Sequence, residues 1–177
     1  MGFVLAIVTC FKPNVARWTA PLYALCEGLV LGGVSAIFEM RYPGLVVQSV
    51  ALTFGVFFCM LALYKSGVIK VTNKFILGVV SATGAVALLY FVNIILGFFG
   101  IQMPFLYQGT TFGIVFSIFV VGLAAFNLVI DFYTIEEGSR QGAHKHMEWY
   151  AAFALMVTLI WLYFEVIRLL AKMRDRR

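Results

Sequence analysis

Five apolar runs, at roughly 19–38, 45–64, 75–98, 111–131 and 149–170, each come near the length an α-helix needs to cross the hydrocarbon of a bilayer. Lipid offers no water to bond the backbone, and an open sheet could not satisfy its amides there, so the runs are read as helices. Composition agrees. Of 177 residues, 63% are hydrophobic and 12% charged, and the mean hydropathy is +0.98. A soluble domain carries about 25% charged residues. Too little polar surface is present to clothe a water-soluble globule. With no Ser- or Pro-rich linker, residues 1–177 read as one transmembrane helical domain.

The N-terminal "MGFVLAIVTCFKP" starts apolar at once, without a basic region or small-residue cleavage site, and so is a poor signal peptide. Residues 1–11 are expected to form a partial helix of roughly 15 Å, half the hydrocarbon thickness. "KPNVAR", "RYPG", "YKSGVIKVTNK", a Gly/Pro/Gln-containing stretch at 99–110 and "YTIEEGSRQGAHKHME" separate the spans. Pro13, Pro21, Pro43 and Pro104 lie at or near segment ends, where a missing N–H does least harm. Gly28 and Gly32 have the GxxxG spacing that lets helix backbones approach, a frequent motif that implies a packed bundle and no more.

Charge sets an expected orientation. The formal charge is +5, with 13 Lys and Arg against 8 Asp and Glu, and the basic residues flank spans instead of forming a nucleic-acid patch. Alternating loops put Lys12, Arg17, Lys65, Lys70, Lys74, Arg140 and Lys145 on one side and only Arg41 on the other, so the first side is read as cytoplasmic. The tail "AKMRDRR" disagrees by adding Lys172, Arg174, Arg176 and Arg177 to the outer side. Three loops outweigh one tail, and the last helix is expected to cross. Trp18, Tyr42, Tyr64, Trp149 and Tyr150 read as interfacial anchors.

Ionisable residues inside spans are costly, about 2.5–3.5 kcal/mol for an acid at a helix centre, and usually line a bundle interior or wet cavity. Three acids qualify: Glu27, Asp131 and Glu165. From the rise per residue, Glu27 lies ~12 Å from the cytoplasmic start of its helix. Asp131 is near the cytoplasmic end of its span, and Asn127 is about one turn deeper. These three are expected to share one polar layer. Glu165, roughly 24 Å from the same face, belongs with Gln48 and Asn93 in an outer layer. Plainer readings stand beside each: Asp131 as a helix end in interfacial water, Glu27 protonated in a helix contact, and Glu165 paired with Arg168 three residues on.

Catalytic signatures are absent. No HExxH, GxSxG or P-loop occurs, and a paired-aspartate intramembrane protease needs two span aspartates where only Asp131 is available. The chain is read as no enzyme, with no cofactor. Cys10, Cys26 and Cys59 fall in apolar segments without CxxC spacing, and "HKH" at 144–146 lacks a third ligand, so no metal site is expected.

The stretches "TAPLYALCEGLVLGGVSAIFEMRYPG", "VVQSVALTFGVFFCMLALYKSGVIKVT", "FSIFVVGLAAFNLVIDF" and "GAHKHMEWYAAFALMVTLIWLYFEVIRLLAK" resemble a bacterial branch of the Bax inhibitor-1/YccA-like membrane proteins through nearly the whole chain. The resemblance implies a seven-helix pattern in which residues 1–11 match the end of the second helix, the first one and a half helices being absent here. It implies a multi-pass protein of the bacterial cytoplasmic (inner) membrane. It also implies a pH-sensitive calcium leak controlled by an acid pair on the last two helices; another relative instead modulates a membrane-bound ATP-dependent protease. Asp131, before "FYTIEEG", matches the acid of the penultimate helix. Its partner is Glu165 if "LYFE" sets the register and Thr158 if Arg168 does, and depth favours Thr158, with Glu27 a substitute acid.

The resulting expectation is an all-α membrane protein, a polytopic bundle of five full transmembrane helices plus an N-terminal partial helix. Its leading function is a Ca2+ leak pathway gated by Asp131, Glu27, Asn127, Glu165 and Thr158. The alternative is a non-transporting modulator of a membrane protease.

Overall fold

The computed structural model describes residues 2–100 and 110–176. Pro104 and most of the 99–110 stretch lie outside the described residues. Six helices appear among these: α1 (Gly2–Phe11), α2 (Ala16–Arg41), α3 (Leu45–Lys65), α4 (Asn73–Phe98), α5 (Thr111–Arg140) and α6 (Lys145–Asp175). A short 3-10 turn, Pro13–Val15, joins α1 to α2. Five of the six, all but α1, are long and apolar enough to cross a membrane.

The expected boundaries of α3 and α4 hold within two residues, whereas α5 and α6 are longer than their apolar cores. Residues 132–148, read as a loop, are helical through Arg140 and again from Lys145. Charge stops a hydropathy window, but Tyr133-Thr-Ile-Glu-Glu still suits a helix once it projects into water. Only Gln141–His144 turns the chain, with Gly142 at φ 63° where a Cβ would be strained. Pro21 sits inside α2 one turn from its start, not at its end.

Local caps fix the other ends. Thr72 and Thr110 accept hydrogen bonds from Phe75 N (3.2 Å) and Gly113 N (3.1 Å), satisfying orphan donors of α4 and α5. The α2–α3 turn uses Gly44 at φ 79°, and Glu39 reaches over it to accept from Gly44 N (2.5 Å) and Val46 N (3.0 Å). A carboxylate at the positive end of α3 is favoured by the helix dipole.

α6 is the hub, packing against α5, α3, α2 and the Pro13–Val15 turn, while α1 lies on α2 and α4 on α5. The largest core cluster joins Met60 of α3 to Ala124, Leu128 and Phe132 of α5 and Leu162 and Val166 of α6. In lipid such packing acts through van der Waals contact, since hydrocarbon tails are as apolar as leucine. A second cluster, Ala20, Tyr23 and Phe153, holds α6 to α2 on its other side.

The two ends are distinct. α6 begins beside Arg17, where Lys145 and His146 share a cleft with Asn14. It finishes beside the α2–α3 turn: Tyr42 donates to Asp175, and Arg174 donates to the Pro43 carbonyl (2.9 Å). The helix therefore runs the whole length of the bundle. Gly28 and Gly32 do not mediate a helix contact; a Cβ added at either would meet nothing within 4 Å.

Candidate functional site

The faces of α5 and α6 that meet carry a line of polar side chains. On α6 these are Thr158, Trp161, Glu165, Arg168 and Lys172, spaced three and four residues apart and hence on one side of a helix. Opposite them, running the other way, α5 presents Asp131, Ser117 and Gly113.

At the end nearer the Gln141–His144 turn, the Thr158 side chain of α6 lies beside the Asp131 carboxyl. Thr158 Oγ1 also lies 3.2 Å from the Ala154 carbonyl oxygen, as threonines in helices commonly do. The other carboxyl oxygen, Asp131 Oδ2, is buried with no hydrogen-bond partner among the described residues. No ion pair among the described residues involves Asp131. One turn deeper, Asn127 Nδ2 donates to Thr83 Oγ1 (2.8 Å) on α4 and to the Leu123 carbonyl (2.9 Å).

The part of the line nearer the α2–α3 turn is a charged network. Glu165, 1% exposed, accepts from Tyr90 Oη (2.9 Å), Trp161 Nε1 (3.3 Å) and Arg168 Nη1 (3.2 Å). Arg168 also donates to Tyr90 Oη (2.9 Å) and lies over that ring, 5.3 Å from its centroid. Its side chain is 36% exposed, so the guanidinium reaches outward while the carboxylate stays inside. One turn on, Lys172 is buried and donates to Ser117 Oγ (2.9 Å) and to the Gly113 carbonyl (3.3 Å). Val120, Leu123, Ala124 and Leu128, all buried, lie between this network and Asp131.

These placements sort the expected site. Thr158 faces Asp131 and Glu165 does not, because a helix separates them by seven residues, about 10 Å along its axis. Asn127 is turned toward Thr83 on α4. Glu27 is elsewhere: its Oε1 lies 2.6 Å from where a Cβ on Gly2 would be, on the α1–α2 side of the bundle. The expected layer of Glu27, Asn127 and Asp131 is therefore not a cluster, since α6 packs between α2 and α5. Those three do not form a joint set of calcium ligands. No group of three or more His, Cys, Asp or Glu able to hold a metal occurs among the described residues. His144 and His146 stack on each other with ring centroids 5.7 Å apart. Gln48 lies at the end of the α2–α3 turn, 3.4 Å from Arg174 Nη2, and Asn93 is buried one turn along α4 from Tyr90.

Sequence reasoning missed Lys172, Ser117, Tyr90 and Trp161. The signal was the spacing of positions 161, 165, 168 and 172, which puts four polar-tipped side chains on one face; counting Lys172 with the tail charges hid it.

A family model described as Bax inhibitor 1 like matches residues 1–175. The chain belongs to that family. Comparisons with curated proteins and with solved structures give no match. A Bax inhibitor 1 like protein is a multi-pass membrane protein, as the five spanning helices require. In this member Glu165 and Arg168 tie α6 to Tyr90 of α4, and Lys172 ties it to Ser117 and Gly113 of α5.

Proposed function

We propose that this protein is a pH-sensitive cation leak pathway, conducting Ca2+, in a bacterial cytoplasmic membrane, and that protonation of Asp131 controls it. The reading is supported most by one observation: a carboxyl group sits between the two central helices with a buried, unpartnered oxygen and no counter-charge among the described residues. Protonated, the acid is compatible with apolar packing. Ionised, it demands water or a cation, and separation of α5 from α6 is the simplest way to admit either. Thr158 is the α6 side chain beside Asp131, which supports reading the sensor as one acid and not a pair. Calcium prefers oxygen ligands, which Asp131, Thr158 and Asn127 can offer in turn along the helix faces.

The test is Ca2+ flux into vesicles containing purified protein, measured from pH 5 to 8 for wild type and Asp131→Asn. The expected result is pH-dependent flux in wild type and a flat profile in the variant. Flux with an unchanged pH profile in the variant defeats the gating role. No flux at any pH leaves a non-transporting partner of a membrane complex as the reading to pursue.

A further inference from the structure

At the end of the bundle that carries Lys65, Lys70 and Arg140, a cleft of about 980 Å³ opens between the C-terminal parts of α3 and α5. Its floor is apolar, made by Leu61, Val71, Phe132 and Ile135. The rim is polar, and Glu136 is the one acid that lines it. That acid is already satisfied: Tyr64 donates to Oε2 (2.5 Å) and Arg140 to Oε1 (2.6 Å). Arg140 is thereby committed. Lys65 and Lys70 are exposed and form no ion pair among the described residues, although Lys65 is near enough to Glu136 to act on its charge.

The loop is shaped to present these charges. Gly67, at φ 72°, turns the chain back after α3. Ile69 and Val71 then pack on the α3–α5–α6 core, leaving Lys70 between them on the open side. Two cations beside the ends of α3 and α5, above apolar side chains, suit an amphipathic anion. We propose that Lys65 and Lys70 bind the phosphate of an anionic phospholipid headgroup, with its glycerol backbone lying over Phe132 and Ile135. A small soluble anion would leave the floor unused. This site is independent of the Asp131 reading, although Phe132 follows that residue directly.

Each basic side chain near an anionic lipid contributes about a fivefold factor in affinity, so losing both lysines should weaken binding roughly thirtyfold. The experiment uses the full chain in neutral detergent, titrated with dihexanoyl phosphatidylglycerol and followed by intrinsic tryptophan fluorescence. Dihexanoyl phosphatidylcholine and inorganic phosphate are the comparison probes. The expected result is saturable binding of phosphatidylglycerol alone, weakened about thirtyfold in Lys65→Gln/Lys70→Gln and kept in Arg17→Gln/Lys145→Gln. The second variant alters the other basic cleft at this end, lined by Asn14, Arg17, Lys145, His146 and Trp149. Equal binding of inorganic phosphate would overturn the lipid assignment. Equal loss in both double variants would overturn the location, since only diffuse charge would be acting. Unchanged helical circular dichroism in all variants excludes misfolding as the cause.

Discussion

Substituting Glu165 by Gln should destabilise the bundle. The side chain is 1% exposed, and three donors converge on its carboxylate, from Tyr90, Trp161 and Arg168. Gln keeps the volume and one acceptor but removes the charge that balances Arg168. Breaking a fully buried pair costs about 3–5 kcal/mol, because the surviving charge is left without compensation. Here the survivor is 36% exposed and can turn toward the headgroups. That relief brings the expected cost down to about 2 kcal/mol. For a chain of this size the loss corresponds to a drop in Tm of about 4–8 °C. Thermal unfolding in detergent, read by tryptophan fluorescence, provides the assay, and Trp161 reports from the site itself. The double variant Glu165→Gln/Arg168→Met should recover most of the loss, since no orphaned cation remains. A Tm within 1 °C of wild type for the single variant, or a double variant less stable than the single, would refute the network as a structural element.

Ser117→Ala should lower Tm by about 2–4 °C, the worth of roughly 1 kcal/mol for an intramembrane hydrogen bond, because Lys172 loses its 2.9 Å acceptor. The same thermal scan checks it. Leu128→Ala should cost about 2 kcal/mol, since Leu128 is 0% exposed in the central cluster. That lies at the low end for a Leu-to-Ala cavity, because the exposed reference state is lipid and the transfer contribution is small. Denaturant-induced unfolding in mixed micelles gives the difference directly.

Much of this architecture is legible in the chain. The lengths of the apolar runs identify α2 to α6, and the rise per residue places Thr158 level with Asp131. What spacing cannot give is which helices are neighbours. Glu27 shares a depth range with Asp131, yet depth along an axis says nothing of azimuth, and α6 packs between their two helices. The extension of α5 to Arg140 was hidden because charges end a hydropathy window without ending a helix. Lys172 was hidden for the opposite reason: placed among tail charges by its position, it is in fact drawn inside by Ser117 and the Gly113 carbonyl. The GxxxG spacing in α2 implied a packed bundle and no more, and no helix sits against Gly28 or Gly32, since close approach needs a second helix beside the small residues.

The central claim is that the proton on Asp131 and the state of the pathway are one equilibrium. Infrared difference spectra of the protein in vesicles, taken across pH with Asp131→Asn as the blank, isolate the carboxyl band of this residue. Recording Ca2+ flux on the same vesicles puts both quantities on one pH axis. The account predicts a single curve, with flux rising over the same interval in which the carboxyl band is lost. Two curves that part, or a band that is absent at every pH while flux still changes, would contradict it.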